Sequence, residues 1–229
     1  MEGIYGYKES HQYDEKFTTP HGQIFDSLEW EEMARTITSL PLGASVLEVG
    51  CGTARFSKRL AELGYHVSAV DPSEHMIKLA MDKCRDLDNI KLVLGEGTDL
   101  HFQDCAFDLC FAIRVLNNTG SVDYALKTIR EMIRVTKPHG LILIEFINRQ
   151  RPFRRKSSHV MMSYSQVSEF SRMLGCSVLH RRGIMVLSQP LLEITPVFLL
   201  PTWCILEKLF ELFMWRWASR GYVLLKKQP

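Results

Sequence analysis

Val46-Leu47-Glu48-Val49-Gly50-Cys51-Gly52-Thr53-Ala54, followed about 20 residues later by Val67-Ser68-Ala69-Val70-Asp71, is the stretch on which the fold turns. An apolar run opens into a glycine turn, a helical pattern follows, and a second apolar run ends in an acid. Gly50 and Gly52 reach backbone angles that other residues avoid, and without a Cβ they let a ligand lie against the main chain. A helix opening at Thr53 or its neighbours presents unpaired N–H groups and a positive dipole end to a carboxylate or phosphate. Asp71, at the end of the second strand, is placed to accept hydrogen bonds from both hydroxyls of a ribose. An acceptor left unpaired there costs roughly 1–3 kcal/mol, which selects for a diol. The order describes a nucleoside pocket.

Glycine spacing narrows the choice of nucleoside. A dinucleotide fingerprint needs G-x-G-x-x-G, the third glycine allowing close helix packing beneath a pyrophosphate, and here that position is Arg55. No Gly-Lys-Ser/Thr follows, so the loop is no P-loop. What remains resembles the first motif of the class I S-adenosylmethionine-dependent methyltransferases, E-x-G-x-G-x-G, with Glu48, Gly50 and Gly52 present and Ala54 at the last glycine. The resemblance implies S-adenosyl-L-methionine as cofactor and methyl transfer as the reaction. Two rivals stand beside it: a non-catalytic cofactor-binding sensor or complex subunit, and a nicotinamide-dependent oxidoreductase.

Outward from this unit, strands alternate with helices. A helix over 27–38 ends at Pro41-Leu42-Gly43; then come strand 45–49, helix 53–63, strand 66–70, helix 73–86, strands 90–94 and 107–112, helix 121–135 and strand 141–147. Pro138-His139-Gly140 reads as the stop between the last two. The runs Val67 to Val70 and Leu141 to Ile144 are apolar without alternation, as in parallel strands buried on both faces. Such alternation builds a doubly wound α/β sheet whose ligand lies beyond the carboxyl ends of the strands, at the switch point. The last third holds a helix near 164–174, a strand near 177–187, an apolar, proline-punctuated segment, a helix over 202–218 and a strand over 221–226. The resemblance makes 177–187 and 221–226 an antiparallel pair. The expected sheet is therefore seven-stranded, Rossmann-like and mostly parallel with an antiparallel last strand, in a single domain with an N-terminal cap (1–40), a cofactor-binding core (41–148) and a substrate-side part (149–229) carrying the insertion 188–218.

The same resemblance implies further cofactor contacts. Leu94-Gly95-Glu96-Gly97-Thr98-Asp99-Leu100 stands where related enzymes carry G-D-A-x-x-L, so Glu96 and the Gly97 amide would meet the adenine; the bland alternative is a turn acid in solvent. The main chain at Arg114 would accept from the cofactor's amino group, while its side chain either holds an acidic substrate or pairs with a surface carboxylate. Tyr13 to Gly22 resembles the Y-D-x-W-F-x-T-P-x-G opening of bacterial small-molecule methyltransferases, which would fold Tyr13 and Phe17 over the cofactor. Cys51, Pro72 and Met76 complete the expected set. His11, His21 and His139 are bases by type only, and no catalytic residue or metal ligand is assigned.

Composition sets the outer limits. The 229 residues are 46% apolar and 24% charged, with net charge +2 and a pI near 8.2. That is an ordinary globular balance, too mild to argue for nucleic acid. Six cysteines without a C-x-x-C pair, together with a polar N-terminus lacking an apolar signal region, point to a reduced, cytoplasmic protein. There is no Asp/Asn-Pro-Pro-Tyr/Phe and no Pro-Cys nucleophile, so amino methylation of DNA or glutamine and carbon-5 methylation of cytosine are set aside. The expected partner is a small, partly apolar molecule. No run of about 20 apolar residues exists to cross a bilayer, and 183–201 reads as strand plus loop. Leu206, Leu209, Phe210, Phe213 and Trp217 form one apolar face of the helix over 202–218, opposite Glu207, Lys208 and Glu211. This face is expected to pack on its own domain, with a pocket cap, a dimer contact or a membrane surface beside the basic stretch 149–156 as alternatives.

Overall fold

Neighbouring side chains of a strand point to opposite faces, and β1 (Ser45–Val49) is buried on both. Val46 belongs to a cluster with Phe25, Leu28, Met33 and Leu60, while Leu47 and Val49 belong to another with Ile129, Met132 and Ile142. The sheet is thus covered twice, as continuous apolar strands require. The computed structural model describes residues 13–152 and 159–229; the polar N-terminus with His11, and residues 153–158, which include the second half of the basic stretch, lie outside them.

The chain runs α1 (Pro20–Ile37), β1, α2 (Arg55–Glu62), β2 (His66–Asp71), α3 (Glu74–Cys84), β3 (Ile90–Leu94), β4 (Phe107–Ala112), α4 (Val122–Val135) and β5 (Thr136–Asn148). It continues through β6 (Met161–Met162), α5 (Tyr164–Met173), β7 (Cys176–Ile184), α6 (Gln189–Ile194), α7 (Leu200–Met214) and β8 (Arg220–Lys227). Strand order is β3-β2-β1-β4-β5-β8-β7. The first five strands are parallel, and β8 lies antiparallel between β5 and β7. This is the expected sheet, with one addition: the short β6 pairs in parallel with Ile147 and Asn148 at the end of β5. Order reverses between β1 and β4, which leaves a crevice at their carboxyl ends.

Several boundaries differ from expectation for local reasons. The first helix begins at Pro20 rather than near 27, because the Thr19 hydroxyl accepts the Gly22 N–H at 3.1 Å and Pro20 sits in the first turn. Helix α2 begins at Arg55, not 53, because Ala54 is left-handed at φ 61°. The stop signal Pro138-His139-Gly140 becomes an irregularity within β5: its pairing with β4 shifts between Phe107 and Leu109, and His139 takes φ 64°.

The region 188–218 departs most. The expected loop contains α6, and α7 ends at Met214 in a 3-10 turn over Trp215–Trp217. Its expected packing face is wrong way round: Leu206, Leu209, Phe210, Phe213 and Trp217 are exposed, and the buried residues are Leu200, Trp203 and Glu207. Glu207 accepts N–H bonds from Val186 at 2.7 Å and Leu187 at 2.9 Å, so the segment after β7 anchors the acid-bearing side. Among the described residues no helix is long and apolar enough to cross a membrane. All six cysteines are free, and four of them are buried.

Candidate functional site

The turn after β1 is held first by main-chain bonds: Gly50 and Cys51 both donate to the Val70 carbonyl, at 2.7 and 3.0 Å. Gly50 needs its glycine twice over, with φ 75° and the side chain of Val115 only 2.3 Å from where a Cβ would stand. Gly52, also at positive φ, donates its N–H to Asp71 Oδ2 at 2.8 Å, and Ser73 donates to Asp71 Oδ1 at 2.9 Å. The carboxylate therefore ties the glycine turn to the start of α3, while each oxygen keeps a lone pair. Burial raises the Asp71 pKa against these two N–H bonds.

Asp71 lines a cavity at the carboxyl ends of the parallel strands. Gly50, Gly52, Pro72 and Met76 form the wall around it, and Tyr13, Glu96, Gly97 and Arg114 close the remaining sides. Ser73 caps α3 by accepting the Met76 N–H, which fixes the buried Met76 beneath the glycine turn. A Cβ on Gly97 would lie 2.9 Å from Val49 and 3.0 Å from Thr128, so the main chain passes close to the sheet there. Glu96 is not a free turn acid: its carboxylate accepts the Tyr124 hydroxyl, and burial together with this acid pushes Tyr124 up to about 12.

Two expected contacts do not reach the cavity. Glu48 is buried beneath the turn, where its carboxyl accepts the N–H and hydroxyl of Ser57 in the first turn of α2. Burial pushes its pKa up to about 8. Cys51 is buried with Ala69 and Ile77. Both shape the loop from behind.

Arg114 adopts φ 64°, donates its N–H to Glu145 at 2.7 Å and accepts from the Asn118 amide at 3.2 Å. Its guanidinium lies 3.7 Å from Glu29, an acid with no solvent exposure, and 4.8 Å from the Phe25 ring centre. The side chain thus pairs with a carboxylate, though an interior one. It also borders a second cavity, walled by Lys16, Phe17, His21, Phe25, Gln189 and Leu192. His21 Nε2 is 2.7 Å from the Thr195 carbonyl. A carbonyl only accepts, so this geometry puts a proton on Nε2; in the neutral ring Nδ1 is then the acceptor. His139, in contrast, is on the surface in β5.

The structure adds two groups that sequence reasoning missed. Asp14 accepts the Thr53 hydroxyl at 2.7 Å and pairs with Lys83, clasping the N-terminal segment across the glycine turn; Lys16, at the Trp position of the Y-D-x-W-F opening, lies 5.9 Å from the Tyr13 ring centre. Asp26, Glu29 and Glu32 are buried on one side of α1, and Arg55 pairs with the first two. Arg59 also pairs with Asp26 at 2.6 Å. The signal was present as three acids spaced three apart, but it becomes a helix face only once the helix starts at Pro20.

Residues 47–144 match the model of a methyltransferase domain. A demethylmenaquinone methyltransferase of Listeria welshimeri is 36% identical over 118 residues, which cover 49% of this chain and 49% of that protein. The chain spans about half the length of the curated relatives it matches. Among solved structures, the [4+2]-cyclase SpnF superposes with a TM-score of 0.70 at 20% identity, over 90% of this chain and 82% of that one. The N-methyltransferase NodS of Bradyrhizobium japonicum, in complex with S-adenosyl-L-homocysteine, gives a TM-score of 0.69 at 12% identity, over 97% and 98%. At these identities the structural likeness speaks for the fold.

Proposed function

We propose that this chain is a class I S-adenosylmethionine-dependent methyltransferase, a reading supported by the match of residues 47–144 to a methyltransferase domain, and that it transfers a methyl group to a small, partly apolar molecule by in-line displacement. S-adenosylmethionine supplies a sulfonium methyl that is already electrophilic. The protein's task is to hold acceptor and donor in line, a contribution of about 7–11 kcal/mol in favourable cases.

Asp71 carries the reading. Its carboxylate is fixed by the Gly52 and Ser73 amides and borders the cavity with a lone pair left on each oxygen, which suits two vicinal hydroxyls. Around it, Gly50 and Gly52 let the cofactor approach the main chain, Pro72 and Met76 form the wall beside the ribose, and Glu96 with the Gly97 amide faces the adenine. The Arg114 carbonyl receives the amino group, and Tyr13 covers the site. Glu48 and Cys51 act from behind, shaping the turn. In this division of one domain, 41–148 holds the cofactor and 149–229 lies on the acceptor's side.

The second cavity is the acceptor's place in this proposal, because Arg114 borders both cavities and the Phe17, Phe25 and Leu192 side chains give it apolar walls. For an oxygen acceptor there, His21, which lines the cavity, is a base of suitable type. The test is calorimetry with S-adenosylmethionine, its demethylated product and NAD, followed by turnover on an acceptor panel that includes demethylmenaquinone, the substrate named for the half-matching relatives. Asp71→Ala is expected to weaken cofactor binding by about tenfold or more in a variant that still folds, with about 1–3 kcal/mol of stability lost for the Gly52 and Ser73 amides it strands; unchanged affinity overturns the site. Binding of NAD instead of the sulfonium overturns the reading altogether. A second reading, a cofactor-bound protein that moves no methyl group, draws on SpnF, a protein named as a cyclase on the same fold. Tight binding without methylation of any panel member favours it.

A further inference from the structure

Helix α7 is built inside out. Its acid, Glu207, is fully buried and bonded to the Val186 and Leu187 amides. Its outward side carries Ile205, Leu206, Leu209, Phe210, Leu212 and Phe213, with Leu212 70% and Phe213 84% exposed. Thr202 and Lys208 are the polar residues on that side. The turn leading into the helix continues the surface, with Phe198 79% exposed. Contiguous apolar surface of this extent marks a contact with something other than water.

Charge says what the something is. Residues 149–229 carry 13 Lys and Arg against 4 Asp and Glu, whereas residues 1–148 carry 15 against 22. The chain's mild net charge conceals a polarised molecule. At the carboxyl end of α7, Arg172, Arg181 and Arg216 border one hollow with a single acid, Glu169. That end is fixed in place, since the Asn148 amide donates to the Arg216 and Ala218 carbonyls at 2.8 and 2.9 Å. Beside Ile205, Leu209 and Leu212 the cations Arg35, Arg181, Arg182 and Lys208 outnumber the acids Glu31 and Glu211, so a net positive rim borders the apolar helix surface, the arrangement that binds an interface of acyl chains and anionic headgroups. A second copy fits less well: a two-fold contact through this surface sets two basic thirds against each other. The helix has 15 residues, short of the roughly 20 needed to span a bilayer, so it lies along the surface.

We propose that the outward side of α7 docks the protein on an anionic lipid surface, with Ile205, Leu212 and Phe213 among the acyl chains and Arg172, Arg181 and Arg216 at the headgroup phosphates. The proposal stands apart from the reaction and holds for enzyme or sensor alike.

Flotation of the full chain with vesicles tests it. With equal parts phosphatidylcholine and phosphatidylglycerol the wild type floats with the lipid, and with phosphatidylcholine alone it does so less. The double change Leu212→Glu and Phe213→Glu, at solvent-exposed positions, lowers the bound fraction by about tenfold or more. S-adenosylmethionine affinity, measured by calorimetry, stays unchanged and reports that the variant is folded; should that variant misfold, Leu212→Ser with Phe213→Ser takes its place. Three results overturn the proposal: wild type left unbound by both vesicles, equal binding by folded variant and wild type, or a dimer in sedimentation equilibrium that the variant splits while neither form floats. The last assigns the surface to a second copy.

Discussion

Helices α4 and α7 have similar lengths, 14 and 15 residues, and each carries an apolar stripe, yet they face opposite ways. In α4 the Ser121 hydroxyl caps the first turn and Ala125, Ile129, Met132 and Ile133 are buried against the sheet, with Lys127 and Arg130 outside. In α7 the buried side holds Leu200, Trp203 and Glu207, and the richer apolar side looks out. Helical periodicity identifies a stripe but carries no information on what lies opposite it. For α4 the opposite surface is a sheet of Val, Ile and Leu that only apolar residues can cover. For α7 it is the segment after β7, where two main-chain N–H groups need an acceptor and Glu207 supplies it.

This contrast can be broken by mutation. The largest effect is expected for Ile129→Ala, about 2–5 kcal/mol of lost stability in urea denaturation, because α4 cannot refill the cavity. Glu207→Ala should cost less, about 1–3 kcal/mol, since it strands the Val186 and Leu187 amides; a neutral outcome would mean that apolar contacts of Leu200 and Trp203 alone orient α7. The smallest effect belongs to Phe213→Ser, within about 0.5 kcal/mol, as for surface changes away from special features. If Phe213→Ser approaches Ile129→Ala in cost, the outward side of α7 is already covered in solution and its occupant is a second chain.

The same division between local and distant causes explains how much of the site was legible. Gly50, Gly52 and Asp71 could be picked out because the requirement at each is local: a backbone angle, a close approach, an acid at a strand end. Their neighbours in the motif were harder to place. Glu48 and Cys51 share the loop's sequence signature but point behind it, one to Ser57 and the other to Ala69 and Ile77. Arg55 was informative only as a residue that is not glycine, until α1 brought Asp26 and Glu29 to it. Glu96 stood out as an acid after a strand, whereas its partner Tyr124 lies 28 residues away on α4.

By itself the sequence determined the alternation of strands and helices, the glycine turn with its acid, and hence a doubly wound sheet with a nucleoside-type cavity at the switch point. Each follows from short-range sterics and from periodicity within one element. Tertiary structure decided which acids are buried, that Arg114 stands between two cavities, and that α7 turns its apolar side outward. Those outcomes depend on which groups meet across the fold, and a buried carboxylate is held in place by its partners' need for an acceptor, which no single segment reveals.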